Sequence, residues 1–372
     1  MKNFLFIAGA RPNFMKIAPL IRACLNHAEP IQPLLVHTGQ HYDANMSGVF
    51  FEELGIPEPD FHLNVGGGSH AVQTARIMEA FEPVLLEAAP DMVVVVGDVN
   101  STLACTLVAK KLDFPVAHVE AGLRSGDRTM PEEINRLMVD VVADLLLVSE
   151  PSGVENLAAE GVDASRIRFI GNVMVDTLFY QRERLFEAGT MSSVVQRFGL
   201  RVGEFAVMTL HRPATVDDAA ILSGVVDALK TIAAELSILF PVHPRTRKNL
   251  ESFGLELGPN ITLVEPLGYS DFLALWSNAA MVLTDSGGLQ EETTALGIPC
   301  VTIRDNTERP VTVEQGSNRL AGRTTEGILE AYRIQQSIGV QSCRVDGWDG
   351  RAAERAVDAF VTFSSAFGPA AQ

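Results

Sequence analysis

Short apolar segments alternate with longer segments of helical periodicity along most of this chain. The segment 93–96 consists of four consecutive valines and is therefore apolar on both faces. A strand of this kind is stable in a parallel sheet whose two faces are both covered by helices. Alternating strands and helices build right-handed βαβ units, which assemble into an open, doubly wound sheet. The sequence therefore predicts an α/β protein.

The apolar segments fall into two series, which predicts two sheets. A chain of 372 residues also suggests two domains at about 150 residues each. The predicted strands are 4–8, 34–37, 92–96, 116–119, 145–148 and 167–170 in the first series and 205–210, 238–242, 261–264, 281–284 and 300–303 in the second. We expect one doubly wound domain at 1–172, another at 173–350, and a C-terminal helix at 351–372. Ligands of such sheets bind at the carboxyl ends of the strands, here in a cleft between the two domains.

The charge balance limits the partners of the protein. Lys and Arg number 29 against 46 Asp and Glu, which gives a formal net charge of −17. Nucleic acids and anionic membrane surfaces reward basic patches, so we expect neither as a partner. The four cysteines are widely spaced and form neither a disulfide framework nor a zinc site, which favours a reducing cytoplasm. We expect the apolar residues 4–7 to be a buried first strand rather than a signal peptide.

Polar residues follow the predicted strands of the first series. Arg11 and Lys16 follow the first strand, at the start of a helix whose N-terminus favours an anion. Asp98 follows the strand 92–96 and could be either a helix N-cap or a reactive group. Glu120 follows the strand 116–119, where an acid is costly unless it is paired or functional. Glu132 comes directly after Pro131, at the start of a further predicted helix.

The second series has the same pattern. His211 and Arg212 follow one strand, and His243 and Arg245 follow the next. The turn 286–288 is Ser-Gly-Gly before a predicted helix, which is a compact anion cradle. Glu292 lies further along that helix, where a carboxylate could accept both hydroxyls of a ribose. Three carboxylates and a set of cations at strand ends indicate a nucleotide diphosphate ligand and acid/base chemistry at its far end.

Several longer motifs resemble the non-hydrolysing UDP-N-acetylglucosamine 2-epimerases. The residues that carry the resemblance are HVEAGLRS at 118–125, MPEEINR at 130–136, TDSGGLQEE at 284–292 and TERP at 307–310. GARP at 9–12, TGQH at 38–41 and GD at 97–98 fit as well. The resemblance runs in order from about residue 4 to residue 320.

The resemblance implies a fold of the GT-B type, with two Rossmann-like domains facing each other across a cleft and a C-terminal helix packed back on the first. It implies interconversion of UDP-N-acetylglucosamine and UDP-N-acetylmannosamine by a homodimer, without a metal or NAD, through elimination of UDP to a 2-acetamidoglucal and re-addition. The implied catalytic residues are Asp98, Glu120, Glu132 and His211. The candidate substrate-binding residues are Arg11, Lys16, Gln40, His41, Arg124, Arg136, Arg212, His243, Arg245, Ser286, Gly287, Gly288, Glu292 and Arg309.

Two departures leave the substrate open. Residues 213–215 are Pro-Ala-Thr where many relatives have an acidic or amide residue, and the loop 127–131 is the shorter of the family's variants. Relatives act on modified sugars such as UDP-2,3-diacetamido-glucuronate, with whose carboxylate Arg128 could pair. The alternatives are therefore an epimerase of such a sugar, a hydrolysing epimerase that releases N-acetylmannosamine, and a GT-B glycosyltransferase, which would not need the block 118–136.

Overall fold

The computed structural model describes residues 1–39, 48–342 and 345–367. The chain divides into two compact units. The first consists of Met1–Thr177 together with the chain from Asp346 onward, and the second consists of Leu178–Val345. Within the described residues, no helix has the length and apolar character needed to cross a bilayer.

The described part of the first unit contains one seven-stranded sheet in the order β3-β2-β1-β4-β5-β6-β7. All neighbouring strands in it are parallel. Its strands are β1 (Lys2–Ala8), β2 (Ile31–His37), β3 (Phe61–His62), β4 (Met92–Val96), β5 (Val116–Val119), β6 (Leu145–Val148) and β7 (Ile167–Phe169). Its helices are α1 (Arg11–Asn26), α2 (Gly48–Leu54), α3 (His70–Ala88), α4 (Asn100–Lys111), α5 (Pro131–Val142), α6 (Pro151–Ala159), α7 (Val173–Glu187), which runs on into the second unit, and α16 (Ala352–Phe367).

The second unit contains a six-stranded parallel sheet in the order β10-β9-β8-β11-β12-β13. Its strands are β8 (Phe205–Thr209), β9 (Ser237–Pro241), β10 (Ile261–Val264), β11 (Met281–Thr284), β12 (Cys300–Thr302) and β13 (Asn318–Leu320). Its helices are α8 (Thr190–Arg197), α9 (Pro213–Val216), α10 (Ala219–Ala233), α11 (Pro244–Ser252), α12 (Tyr269–Trp276), α13 (Gly287–Leu296), α14 (Pro310–Glu314) and α15 (Thr325–Ile338).

The predicted fold class is confirmed, because each unit is a doubly wound parallel sheet. The central strands β4, β5, β6 and β11 have the predicted bounds and are buried along their whole length. The predictions missed β3 and β13, which are edge strands of two and three residues. Each of them has only one apolar residue and therefore carries no apolar segment long enough to be recognised in the sequence, whereas the edge strands β7 and β10 were predicted.

The helix α16 packs against the first sheet. The ring of Phe360 makes an edge-to-face contact with Phe4 at a centroid distance of 5.6 Å, and it also contacts Phe6. Asp176, on α7, accepts hydrogen bonds from the backbone N–H groups of Ala352 and Ala353 at the start of α16. The end of the described chain thus belongs to the first unit.

Each sheet has one point at which the order of its strands reverses. In the first sheet this point lies between β1 and β4, and in the second it lies between β8 and β11. The loops after two such strands run in opposite directions and leave a crevice at the carboxyl edge, where ligands of doubly wound sheets bind. Arg11 and Asp98 follow the first pair of strands, and His211 and Ser286 follow the second.

The N-cap of α10 provides a test of local stability. The carboxylate of Asp218 accepts hydrogen bonds from the N–H groups of Ala220 and Ile221. We expect Asp218→Ala to lower the free energy of unfolding by about 1 kcal/mol, because the first-turn donors lose their acceptor. Asp227, exposed on the same helix, provides the control: Asp227→Ala should change stability by no more than about 0.5 kcal/mol, since alanine favours the helix interior. Urea unfolding measures both, and equal effects would contradict the capping role.

Candidate active site

Gly97 lies at the centre of the first switch point, directly after β4. Its φ is +65°, and a Cβ at this position would stand 3.2 Å from Nζ of Lys16 and 3.4 Å from Oε2 of Glu120. A glycine is favoured here, because other residues rarely adopt this backbone conformation and an added Cβ would stand in tight contact with Lys16. Lys16, Gly97 and Glu120, which follow β1, β4 and β5, thus lie in contact with one another.

Glu120 has an unusual backbone at the end of β5. Its φ of +74° lies in the left-handed region, which is strained for a residue other than glycine, and such strain is common at functional sites. Its side chain is buried and forms an ion pair with Lys16. The N–H groups of Glu120 and Ala121 both donate to the carbonyl oxygen of Leu147 on β6. The carboxylate is thus held beside Gly97 by its backbone and by its counter-charge.

His118 and Asp140 hold the ends of β4 and β5 together. The ring of His118 is buried, and its Nε2 donates to the carbonyl oxygen of Gly97 at 2.9 Å. Its Nδ1 lies 2.6 Å from Asp140 on α5, whose other oxygen accepts the N–H of Gly122. Burial raises the pKa of Asp140, but the charges of His118 and Arg124 outweigh that effect and hold it below its usual value. Sequence reasoning did not assign this pair.

Asp98 is paired with Arg136 rather than used as a cap. The N-cap of α4 is Val99, and no side chain caps that helix. Oδ2 of Asp98 lies 2.5 Å from Arg136, and the backbone carbonyl of Asp98 accepts the side-chain amide of Asn135. Arg136 also contacts Glu133, whose pKa lies below its usual value because backbone N–H groups and Arg136 outweigh the effect of its burial. Arg136 is buried, so its first role is to hold these carboxylates.

Glu132 lines a cavity of about 320 Å³ together with Asp98. It lies in the first turn of α5, next to Pro131 as the sequence predicts. Among the described residues, Glu132 has no ion-pair partner, in contrast to Glu120 and Asp98. The same cavity is lined by His70 and Asn100, whose side chains hydrogen-bond to each other and which the sequence did not single out. The first switch point therefore presents two ion-paired carboxylates, Asp98 and Glu120, and a third, Glu132, without an ion-pair partner among the described residues.

The other predicted residues of the first unit have mixed surroundings. Arg11 begins α1 and is half-buried. Arg124 forms ion pairs with Asp140 and with both oxygens of Glu160, so its charge is already compensated within the protein. Gln40 and His41 lie outside the described residues.

The second switch point brings together His211, Arg212 and the turn that follows β11. Asp285 is fully buried and accepts hydrogen bonds from the backbone N–H groups of both His211 and Arg212. A Cβ at Gly287 would stand 3.9 Å from the guanidinium of Arg212. Ser286 is the N-cap of α13, and Gly287 is the first residue of that helix. A helix N-terminus beside an arginine is suited to an anion such as a phosphate.

Glu292 lies on α13, beyond that turn, and is buried. Its Oε1 accepts a hydrogen bond from the hydroxyl of Tyr269 at 2.9 Å. Burial and the neighbouring Glu291 raise the pKa of Glu292 to about 7, against the opposing effect of the Tyr269 hydroxyl. Arg309 pairs with Glu291 at 2.6 Å. Sequence reasoning did not identify Tyr269, because it lies on a different helix, at the start of α12, and its contact with Glu292 depends on how α12 and α13 pack.

His243 and Arg245 lie at the start of α11. His243 is the N-cap, and its ring accepts the backbone N–H of Arg245. The guanidinium of Arg245 contacts both oxygens of Asp217. Both His243 and Arg245 are exposed. Their presence at this strand end is also explained by local structure, because His243 caps α11 and Arg245 pairs with Asp217.

Known proteins resemble this chain over most of its length. The model of the UDP-N-acetylglucosamine 2-epimerase family matches residues 23–361. The UDP-N-acetylglucosamine 2-epimerase of Methanocaldococcus jannaschii is 42% identical over 334 residues, which cover 88% of this chain and 90% of that protein. The UDP-2,3-diacetamido-2,3-dideoxy-D-glucuronate 2-epimerase of Pseudomonas aeruginosa is 40% identical over 343 residues, which cover 91% of this chain and 94% of that protein.

The likeness extends to three dimensions. A crystal structure of the Methanocaldococcus jannaschii enzyme in complex with UDP-GlcNAc and UDP matches with a TM-score of 0.83 at 40% identity. The match covers 97% of this chain and 100% of the other. Sequence motifs, family model and fold agree, and the chain therefore belongs to the UDP-N-acetylglucosamine 2-epimerase family of isomerases.

Proposed function

We propose that this protein interconverts UDP-N-acetylglucosamine and UDP-N-acetylmannosamine by inverting C2 of the sugar. The observation that carries the proposal is the group of three carboxylates at the first switch point. Glu120 is ion-paired with Lys16 and Asp98 with Arg136, whereas Glu132 lines the cavity without an ion-pair partner among the described residues. Groups whose surroundings differ in this way can divide the work of an acid and a base.

The chemistry needs such a division. C2 carries an acetamido group and has no neighbouring carbonyl, so its proton is not acidic enough for simple enolisation. In the proposed reaction a carboxylate takes the C2 proton, the C1–O bond breaks, and UDP leaves with the electron pair to give a 2-acetamidoglucal. UDP then adds back to C1 while an acid returns a proton to the other face of C2. A base within hydrogen-bond reach and a stabilised leaving group are both required.

The second unit is the proposed UDP-binding domain. The turn Ser286–Gly288 and Arg212 would hold the diphosphate, and Glu292 would accept the ribose hydroxyls. His211 lies beside this turn and would contact the departing phosphate. In this assignment the first unit performs the proton transfers and the second unit holds the leaving group.

The walls of the cavity favour a neutral sugar over a uronic acid. The described residues that line it include two carboxylates, Asp98 and Glu132, and one histidine, His70, but neither lysine nor arginine. A sugar carboxylate placed there would stand close to these two carboxylates, and repulsion between like charges is unfavourable. This favours UDP-N-acetylglucosamine over the diacetamido-glucuronate substrate that names the Pseudomonas aeruginosa relative.

The cellular setting follows as part of the proposal. We place the enzyme in the cytoplasm as a homodimer that supplies a mannosamine-type nucleotide sugar for cell-envelope polysaccharide. Cys24, Cys105 and Cys300 are buried and unpaired, which agrees with a reducing compartment. Sedimentation of the purified protein would test the dimer.

Incubation with UDP-N-acetylglucosamine in deuterated water, followed by NMR, tests the function. The expected product is UDP-N-acetylmannosamine with deuterium at C2. Free N-acetylmannosamine with UDP would instead identify a hydrolysing enzyme. Without any reaction, the proposal is rejected, and turnover of a UDP-diacetamido-glucuronate in the same assay would identify the modified sugar as the substrate.

A further inference from the structure

Asp285 is a buried carboxylate for which the reaction as proposed above has no task. It lies between the end of β11 and the N-cap of α13, and none of its surface is exposed. Burying a charge at such a position is costly unless hydrogen bonds compensate for the lost water. Because β8 and β11 are neighbouring strands, the residues that follow β8 lie within reach of this carboxylate.

The contacts of Asp285 converge on His211. Oδ2 accepts the backbone N–H of His211 at 2.9 Å and that of Arg212 at 2.7 Å. Oδ1 lies 3.0 Å from Nδ1 of the His211 ring. Asp285 therefore fixes the backbone of residue 211 and the orientation of its ring at the same time.

The ring orientation determines which nitrogen is available for chemistry. Since Nδ1 faces the carboxylate, it carries the proton of that hydrogen bond and Nε2 is the other, outward nitrogen. The side chain of His211 is 46% exposed, so this nitrogen can meet a ligand. Burial raises the pKa of Asp285, but the ring and the two backbone N–H groups outweigh burial and keep the carboxylate ionised at neutral pH.

The outward side of His211 belongs to the anion-binding end of the sheet. Arg212 is the next residue, and its guanidinium lies beside Gly287 in the turn that follows Asp285. The residue that orients the ring and the turn that would hold the diphosphate are thus consecutive in the chain.

We propose that Asp285 is a positioning residue for His211, which directs Nε2 of the ring at the diphosphate and affects the reaction through that ring. The inference rests on the proposed function, because it assigns His211 to the departing UDP. As the C1–O bond breaks, the ring, protonated on both nitrogens with Nδ1–H bound to Asp285, donates a hydrogen bond from Nε2–H to a diphosphate oxygen that gains negative charge. Donors that are oriented before the reaction stabilise such charge most effectively. Asp285 itself does not touch the substrate.

A double-mutant cycle separates this role from a structural one. The four proteins are the wild type, Asp285→Asn, His211→Asn and the double variant, and the assay is C2 epimerisation in deuterated water. We expect Asp285→Asn to lower kcat about 30-fold in the wild-type background, with KM changed by less than about 3-fold. In the His211→Asn background the same change should lower kcat by less than about 3-fold, because the ring that it orients is absent.

Asp271→Asn serves as the control. Asp271 is an acid of the same unit whose carboxylate pairs with Arg197 at 2.6 Å, and its replacement should leave kcat within about 2-fold. Equal losses from Asp285→Asn in both backgrounds would overturn the proposal, since a purely structural effect does not depend on the ring. If Asp285→Asn does not fold, Asp285→Glu takes its place in the cycle. The loss of kcat is then compared between the wild-type and His211→Asn backgrounds in the same way. Inactivity of the wild type would refute the proposed function instead.

Discussion

Replacing Glu132 with glutamine is expected to lower deuterium incorporation at C2 by a factor of about 10³ or more, because the side chain can then no longer exchange a proton with the sugar. Glutamine has nearly the same shape and lines the same cavity. Since no ion pair of Glu132 is lost among the described residues, the fold should be unchanged. The affinity for UDP should stay within about 3-fold of that of the wild type. NMR in deuterated water measures exchange, and calorimetric titration with UDP measures binding.

The neighbouring Glu133 provides a contrast to this result. Its carboxylate accepts the N–H groups of Ser125 and Gly126 and contacts Arg136, so it holds the loop before α5. Glu133→Gln should therefore lower stability as well as the rate. Glu155→Gln, on an exposed position of α6, should change neither. Exchange by Glu132→Gln at more than about a tenth of the wild-type rate would remove Glu132 from the catalytic set.

The fold could be predicted because buried parallel strands have a recognisable pattern of apolar residues in the sequence. A strand whose two faces are both covered by helices must be apolar throughout. Segments such as 93–96 and 145–148 meet this condition. The same physics placed Lys16, Asp98 and Glu120 at one edge, since the carboxyl ends of parallel strands meet there. The strands β3 and β13 lack this signal because they have only two and three residues, of which one in each strand is apolar.

The partners that orient the site could not be predicted in the same way. His118 lies inside a buried strand, and Asp140 lies on a helix 22 residues further along the chain. Their contact depends on how α5 packs against the sheet, which no local pattern in the sequence encodes. Tyr269 and Glu292 likewise meet across two helices. Asp285 was visible as a polar residue after a strand, yet its hydrogen bonds to the residues after β8 appear only once the strand order is known.

Glu292→Gln is expected to make the protein more stable and to weaken UDP binding. Burial raises the pKa of Glu292 to about 7, from 4.5 in the unfolded chain. A raised pKa favours the protonated form in the folded state, so the stability that this group contributes is present below pH 4.5 and is lost as the pH rises through 7. Glutamine removes the buried charge, which should raise the free energy of unfolding at pH 8 by about 3 kcal/mol. Its amide offers one acceptor oxygen in place of two, so the affinity for UDP should fall about 10- to 100-fold.

The pH dependence and a control make this prediction specific to Glu292. The gain in stability should shrink between pH 7 and pH 5.5, because the wild-type carboxyl is then mostly protonated in the folded state and resembles the amide. Glu256→Gln, at an exposed position of the same unit, should alter neither stability nor affinity. Urea unfolding at the two pH values and titration with UDP measure the two effects. A loss of stability at pH 8 would show that the hydrogen bond from Tyr269 needs the charged carboxylate, whereas unchanged UDP affinity would remove Glu292 from the ribose site. Opposite signs in the two measurements would mean that the buried charge is kept for binding at the expense of stability, as is common at functional sites.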